Sequence, residues 1–131
     1  MILEGRKSRE KVSLKRGLAA YKTMDDKDFQ RRADEALDSL NRRLADAGDR
    51  YDFEADFNSG ALSIEFGDPP ARFVVSPNSP VRQIWVSALT RSFKLDWNES
   101  RQEFVLPETG ESLAELIRGA ISKHIGDEVR L

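Results

Sequence analysis

The spacing of apolar residues changes twice along this chain, and those changes limit its fold more than any motif does. Phe29, Ala33, Ala36, Leu37, Leu40 and Leu44 recur at helical spacing and draw one apolar stripe. After Gly48 the period falls to two, the mark of strands buried on one side. Helical spacing returns only after Ser112, through Leu116, Ile117, Ala120 and Ile121.

The punctuation agrees. Asp25 or Asp26 caps the first helix, and Asp28 stands in its first turn, where the helix dipole favours negative charge. Residues 52–57 alternate acidic and apolar, Asn58-Ser59-Gly60 turns the chain, and Leu62, Ile64 and Phe66 face inward on the next strand. Residues 67–70 turn it again into a strand near 72–75, and Pro77 and Pro80 bound the loop before a strand over 81–88. Short strands are expected near 92–96 and 103–106, and Ser112 with Glu115 forms a capping-box pattern for a helix ending at Gly126. Each helix has one stripe to bury. The expected fold is therefore α+β: a two-layer sandwich with two helices on one face of a five- or six-stranded antiparallel sheet, the other face open to water.

Composition removes whole classes of chemistry. The 131 residues include no cysteine, which excludes disulfides, thiolate metal sites and a cysteine nucleophile. His124 is the single histidine, no Gly-x-Ser-x-Gly elbow presents a serine, and the glycines never fall in a phosphate-loop or dinucleotide spacing. His124 in the last turn of a helix reads as structural. No apolar run reaches the roughly 18 residues of a membrane span.

The net charge of −2 hides an asymmetry. Residues 1–24 carry seven Lys or Arg against two Glu, and residues 25–131 carry 14 against 21. An acidic domain repels phosphate backbones and anionic lipid and attracts cations or basic protein surfaces, so neither nucleic acid nor membrane is an expected partner. Residues 1–23 read as a basic, flexible N-terminal arm ahead of a domain over 24–131. Three readings fit that arm: a binding segment, an organelle transit peptide, or leader residues before a natural start at Met24.

Two features carry candidate function. Asp52, Glu54 and Asp56 lie on one side of one strand about 7 Å apart, Asp46 and Asp49 precede them in the loop, and Asp26, Asp28 and Asp34 of the first helix extend an acidic ridge along the helix–strand edge. Such a ridge reads either as a solvated edge that discourages strand-to-strand aggregation or as a weak, oxygen-only site for a hard cation such as iron, manganese or calcium. The second feature is Trp85. If Ile84, Val86 and Ala88 point inward, Gln83, Trp85 and Ser87 lie on the open face as an interaction surface; in the reversed register Trp85 is core, and periodicity permits both. Trp97, following Phe93 and Leu95 at period two, reads as core or rim.

The runs Gly60-Ala61-Leu62-Ser63-Ile64, Asn78-Ser79-Pro80-Val81-Arg82-Gln83-Ile84-Trp85, Leu95-Asp96-Trp97 and Thr109-Gly110-Glu111-Ser112-Leu113 resemble the frataxin family, whose bacterial members are called CyaY or iron donor proteins. The resemblance runs from about Met24 to Ile125. It implies an α-β sandwich that binds iron (Fe2+ or Fe3+) weakly through acids of the first helix and first strand. It also implies partners, a cysteine desulfurase and an iron–sulfur scaffold protein, and a cytoplasmic location or, alternatively, the mitochondrial matrix. The matching positions are Asp26, Asp28, Asp34, Asp46, Asp52, Glu54 and Asp56 for the metal, with Asn58, Gln83 and Trp85 for the partner. Asn41 and Arg42 stand where bacterial relatives often place acids, and Gln30 where some have His, which weakens the expectation of strong iron loading. The implied role is a non-enzymatic, monomeric accessory of iron–sulfur cluster assembly; the alternative is a ferroxidase that stores iron in oligomers.

Overall fold

A computed structural model describes residues 24–131, and the arm expected over residues 1–23 lies outside the described residues. The first helix, α1, spans Asp26–Gly48. Asp25 caps it, its carboxylate accepting from the Asp28 amide at 2.8 Å. Of the stripe seen in the sequence, Phe29, Ala33, Leu37, Leu40 and Leu44 are buried and Ala36 is half-buried, while Ala47, outside that stripe, is buried with them. Gly48 lets the helix end flush on the sheet, because a Cβ there would stand 2.9 Å from the Phe53 carbonyl oxygen.

Six strands follow: β1 Phe53–Asn58, β2 Ala61–Gly67, β3 Pro70–Asn78, β4 Gln83–Ala88, β5 Arg91–Asn98 and β6 Glu103–Val105. They form one antiparallel sheet in sequence order. Several boundaries differ from the sequence expectation: β3 runs from Pro70 through Pro77, which pairs with Ile84 instead of bounding a loop, and two further shifts lie nearer the candidate site. Asp52 falls just before β1, and the strand expected from residue 81 begins at Gln83. The last shift has a local cause: Pro80 sits in a 3-10 turn over Ser79–Val81, and Arg82 then takes a left-handed conformation at φ 55°.

The second helix, α2, spans Leu113–Ile125, with the Ser112–Glu115 capping box formed and Gly126 left-handed at its end. Both helices bury their stripes against Leu62, Ile64, Phe73, Val75, Ile84, Val86 and Leu95. Phe29, Leu37, Ile64, Ile84, Leu95 and Ile117 are fully buried, so truncating Leu37 or Ile64 to Ala costs about 2–5 kcal/mol. His124 is structural, as the sequence reading holds. Its Nε2 lies 2.7 Å from the Pro69 carbonyl oxygen, which only accepts, so that nitrogen carries the hydrogen. The ring also packs on Phe66 and Phe73, at 4.5 and 6.0 Å between centroids.

The tail after α2 was not foreseen. Val129 is fully buried and its amide donates to Ser122 Oγ at 3.0 Å. Arg50 Nη2 donates to the Arg130 carbonyl at 3.2 Å and the Tyr51 hydroxyl to that of Glu128 at 3.4 Å. The tail thus ties the end of α2 to the end of α1.

Candidate functional site

Pairing register decides which residues share the open sheet face. Ile84, Val86 and Ala88 are buried under the helices, so Gln83, Trp85 and Ser87 point the other way. Trp85 is 38% exposed, which settles the register left open by the sequence. Its neighbours follow from the ladder: Ser76 and Lys94 flank Trp85, while Asn78 and Asp96 flank Gln83.

This tryptophan is braced. Its Nε1 donates to Gln83 Oε1 at 2.9 Å, and Gln83 Nε2 donates onward to Asp96 Oδ1 at 3.0 Å. The Lys94 ammonium stands 4.9 Å from the ring centroid, a cation–π contact worth about 0.5–1 kcal/mol at an exposed site. The ring wall, Val74, Ser76, Ser87, Ser92 and Lys94 line a depression of about 200 Å³. Small side chains beside a fixed aromatic leave room for a partner's side chain. Val81, 51% exposed, adds apolar surface at the head of β4.

Lys94 and Asp96 escaped the sequence reading as site residues. They alternate with Phe93, Leu95 and Trp97, so period two could have placed them on the face away from those residues, and the pairing with β4 is what sets them beside Trp85 and Gln83. Asn58 shares that face but not the immediate neighbourhood. It lies on β1, opposite Ala61 of β2, with β2 and β3 between it and β4. Three strand spacings of about 4.8 Å put it some 14 Å from Trp85's strand.

The acidic positions fall into distinct groups. Glu54 and Asp56 are exposed at the edge of the open face, opposite Glu65 and Ser63. Arg72 of β3 follows in the same row, 3.7 Å from Glu65. Asp52 packs its carboxylate on Gly67, where any Cβ would stand 2.7 Å from Asp52 Oδ2. On α1, Asp34 borders a hollow with Glu35, Asp38, Phe57 and Gly60, beside the β1–β2 turn. Asp28 and Asp46, at 100° per residue, lie about 120° around the helix from Asp34 and so leave that flank.

Arginines hold several of these acids. Arg82 pairs with Asp26 at 3.1 Å, Arg31 with Asp28 at 3.4 Å, and Arg50 with Asp46 at 3.2 Å. The hydrogen bond to Asp46 is the first cause that raises the Arg50 guanidinium above its usual pKa. Among the described residues Asp34, Asp52, Glu54 and Asp56 enter no ion pair, and no three Asp, Glu or His side chains converge as a set that could hold a metal ion. The donor set is therefore oxygen-only, exposed and spread along an edge. Gln30 bonds Ser79 Oγ, tying α1 to the 3-10 turn, and Asn41 buries its Oδ1 without a hydrogen-bond partner among the described residues.

Fold and surface together define a two-layer α+β sandwich whose free sheet face mounts a braced tryptophan beside an acidic edge. The sequence profile of the frataxin-like domain matches residues 22–127, and the chain belongs to that family. It is 28% identical over 97 residues to the iron-sulfur cluster assembly protein CyaY of Azotobacter vinelandii, covering 72% of this chain and 87% of the relative. The protein of the same name from Thioalkalivibrio sulfidiphilus is 26% identical over 108 residues, covering 82% of this chain and all of the relative. The solved frataxin of Psychromonas ingrahamii superposes with a TM-score of 0.64 at 21% identity, over 81% of this chain and 96% of that one, a likeness of fold. No helix among the described residues is long and apolar enough to cross a membrane.

Proposed function

We propose that this chain is an accessory protein of iron–sulfur cluster assembly that docks on a cysteine desulfurase and its scaffold through the open sheet face and carries iron weakly on the acidic edge. The names of its relatives support the process, and the braced, exposed Trp85 is the observation that carries the docking. A partner aromatic or aliphatic group fits the depression beside Trp85, while the acids Glu54 and Asp56, in no ion pair among the described residues, steer a basic surface onto the same face. Iron is cargo in this reading. Exposed carboxylates that form no cage bind a hard cation at micromolar or weaker affinity and release it readily. The arginine pairing of Asp26, Asp28 and Asp46 favours this role over ferroxidase storage, which needs dense unneutralised acid.

The test is Trp85→Ala in a desulfurase–scaffold binding assay, where affinity should fall by about 2 kcal/mol or more, roughly 30-fold, in a protein that remains folded. Unchanged affinity removes the docking mechanism. For the cargo, Fe(II) added to the 15N-labelled protein should broaden amides near Asp34 and over 52–56, and not those of α2. Broadening centred on His124 would relocate the metal.

A further inference from the structure

The exit point of residues 1–23 is fixed by what holds Met24. Its side chain is buried in the core, and its carbonyl accepts from Arg82 Nε at 3.3 Å. Arg82 is the residue between exposed Val81 and the first residue of β4, so the preceding chain leaves the domain at the head of the strand that carries Trp85. Trp85 lies two residues further on than Gln83, about 7 Å along the strand. Twenty-three residues reach up to ~75 Å when extended, far more than the width of the sheet.

Charge matches this geometry. Residues 1–23 carry seven Lys or Arg against two Glu, interleaved with Ile2, Leu3, Val12, Leu14 and Leu18. The open face presents Glu54, Asp56, Glu65 and Asp96 against Arg72 and Lys94, around the apolar surface of Trp85, Val74 and Val81. Tethering adds an effective concentration near millimolar, enough for weak contacts to fill a surface.

We propose that residues 1–23 dock in cis across the open sheet face, covering Trp85 and the acidic edge, and compete there with the partner protein. The competition rests on the docking reading above; the occupancy does not. Its physical content is a toll on binding. If the face is free only a tenth to a fifth of the time, partner affinity falls five- to tenfold, and a partner that engages the basic segment removes the toll.

The chain has no cysteine, so Ser13→Cys in the 131-residue chain takes a nitroxide at a single place. The label should broaden amides of Ser76, Trp85, Lys94 and Asp56 and leave α1 and α2 sharp, with the effect receding in 1 M NaCl as charge is screened. Broadening on the helices, or none, overturns the proposal. So does broadening of an unlabelled 15N copy mixed with a spin-labelled one, which would mean docking on a second molecule. The variant Lys11→Gln/Lys15→Gln/Arg16→Gln of the same 131-residue chain should then bind a cysteine desulfurase five- to tenfold tighter than the parent, and equal affinities overturn the competition. If the label reports the open face while neither protein binds a desulfurase at all, the docking reading fails and the cis contact stands.

Discussion

Trp85 and Trp97 lie on neighbouring strands and are held in matching ways. Each indole donates to a side chain two residues away, Trp85 to Gln83 at 2.9 Å and Trp97 to Glu99 at 3.0 Å. Each ring also carries a cation, Lys94 at 4.9 Å and Arg32 at 4.5 Å. The difference is what lies beneath. Trp97 faces the helices and meets Phe104 edge-on at 5.1 Å, with Arg32 reaching it from α1. Trp85 faces the open side and spends the same bracing on a surface. Hydrogen bond and cation are common to both rings; the side of the sheet is what separates them.

The largest test of that contrast is stability. Trp97→Ala should cost about 3 kcal/mol in urea unfolding, since it opens a gap between layers, while Trp85→Ala should cost under about 1 kcal/mol. Equal losses would make both tryptophans structural. A finer break is Gln83→Ala, which frees the Trp85 indole without removing it. Partner affinity should drop about fivefold, near 1 kcal/mol, with the unfolding midpoint unchanged. Here Gln83 acts as a positioning residue, so a drop as large as that of Trp85→Ala would mean direct contact instead.

The smallest effect distinguishes the two rings by pH. The groove beside Trp97 is bounded by Ser112, Leu113 and Ala114, the first turn of α2. The Ser112 amide, donating at 2.9 Å, holds the Glu115 carboxyl below the usual glutamate pKa. A depressed carboxyl adds stability that is present above the unfolded pKa and is lost as pH falls through the folded one. Between about pH 5 and 3, emission from Trp97 in a Trp85→Phe background should shift as this cap loosens, and emission from Trp85 in a Trp97→Phe background should not.

Much of this was legible beforehand, for physical reasons that differ by element. Period and caps fixed α1, because its stripe and Asp25 act within a few residues. The Asn58-Ser59-Gly60 turn fixed the first hairpin in the same local way. The face of Trp85 was not legible, since Ile84, Val86 and Trp85 all suit a core and only the register against β3 and β5 separates them. Nor was the splitting of the acidic ridge: Arg82 reaches Asp26 from 56 residues away in sequence, a pairing no spacing rule contains. The tail escaped because Val129 and Leu131 show no period at all, yet they seal the helix pair.

The sequential order of the six strands has a further consequence for the ends of the chain. Every strand pairing closes a loop of a few residues, the cheapest closure in conformational entropy. The bonds of Arg50 to Arg130 and Tyr51 to Glu128 instead close loops of 80 and 77 residues, on exposed groups. The ties that join the two helix ends are thus the costliest in chain entropy for the shelter they provide, which places a weakly secured seam directly before Asp52 and the start of β1.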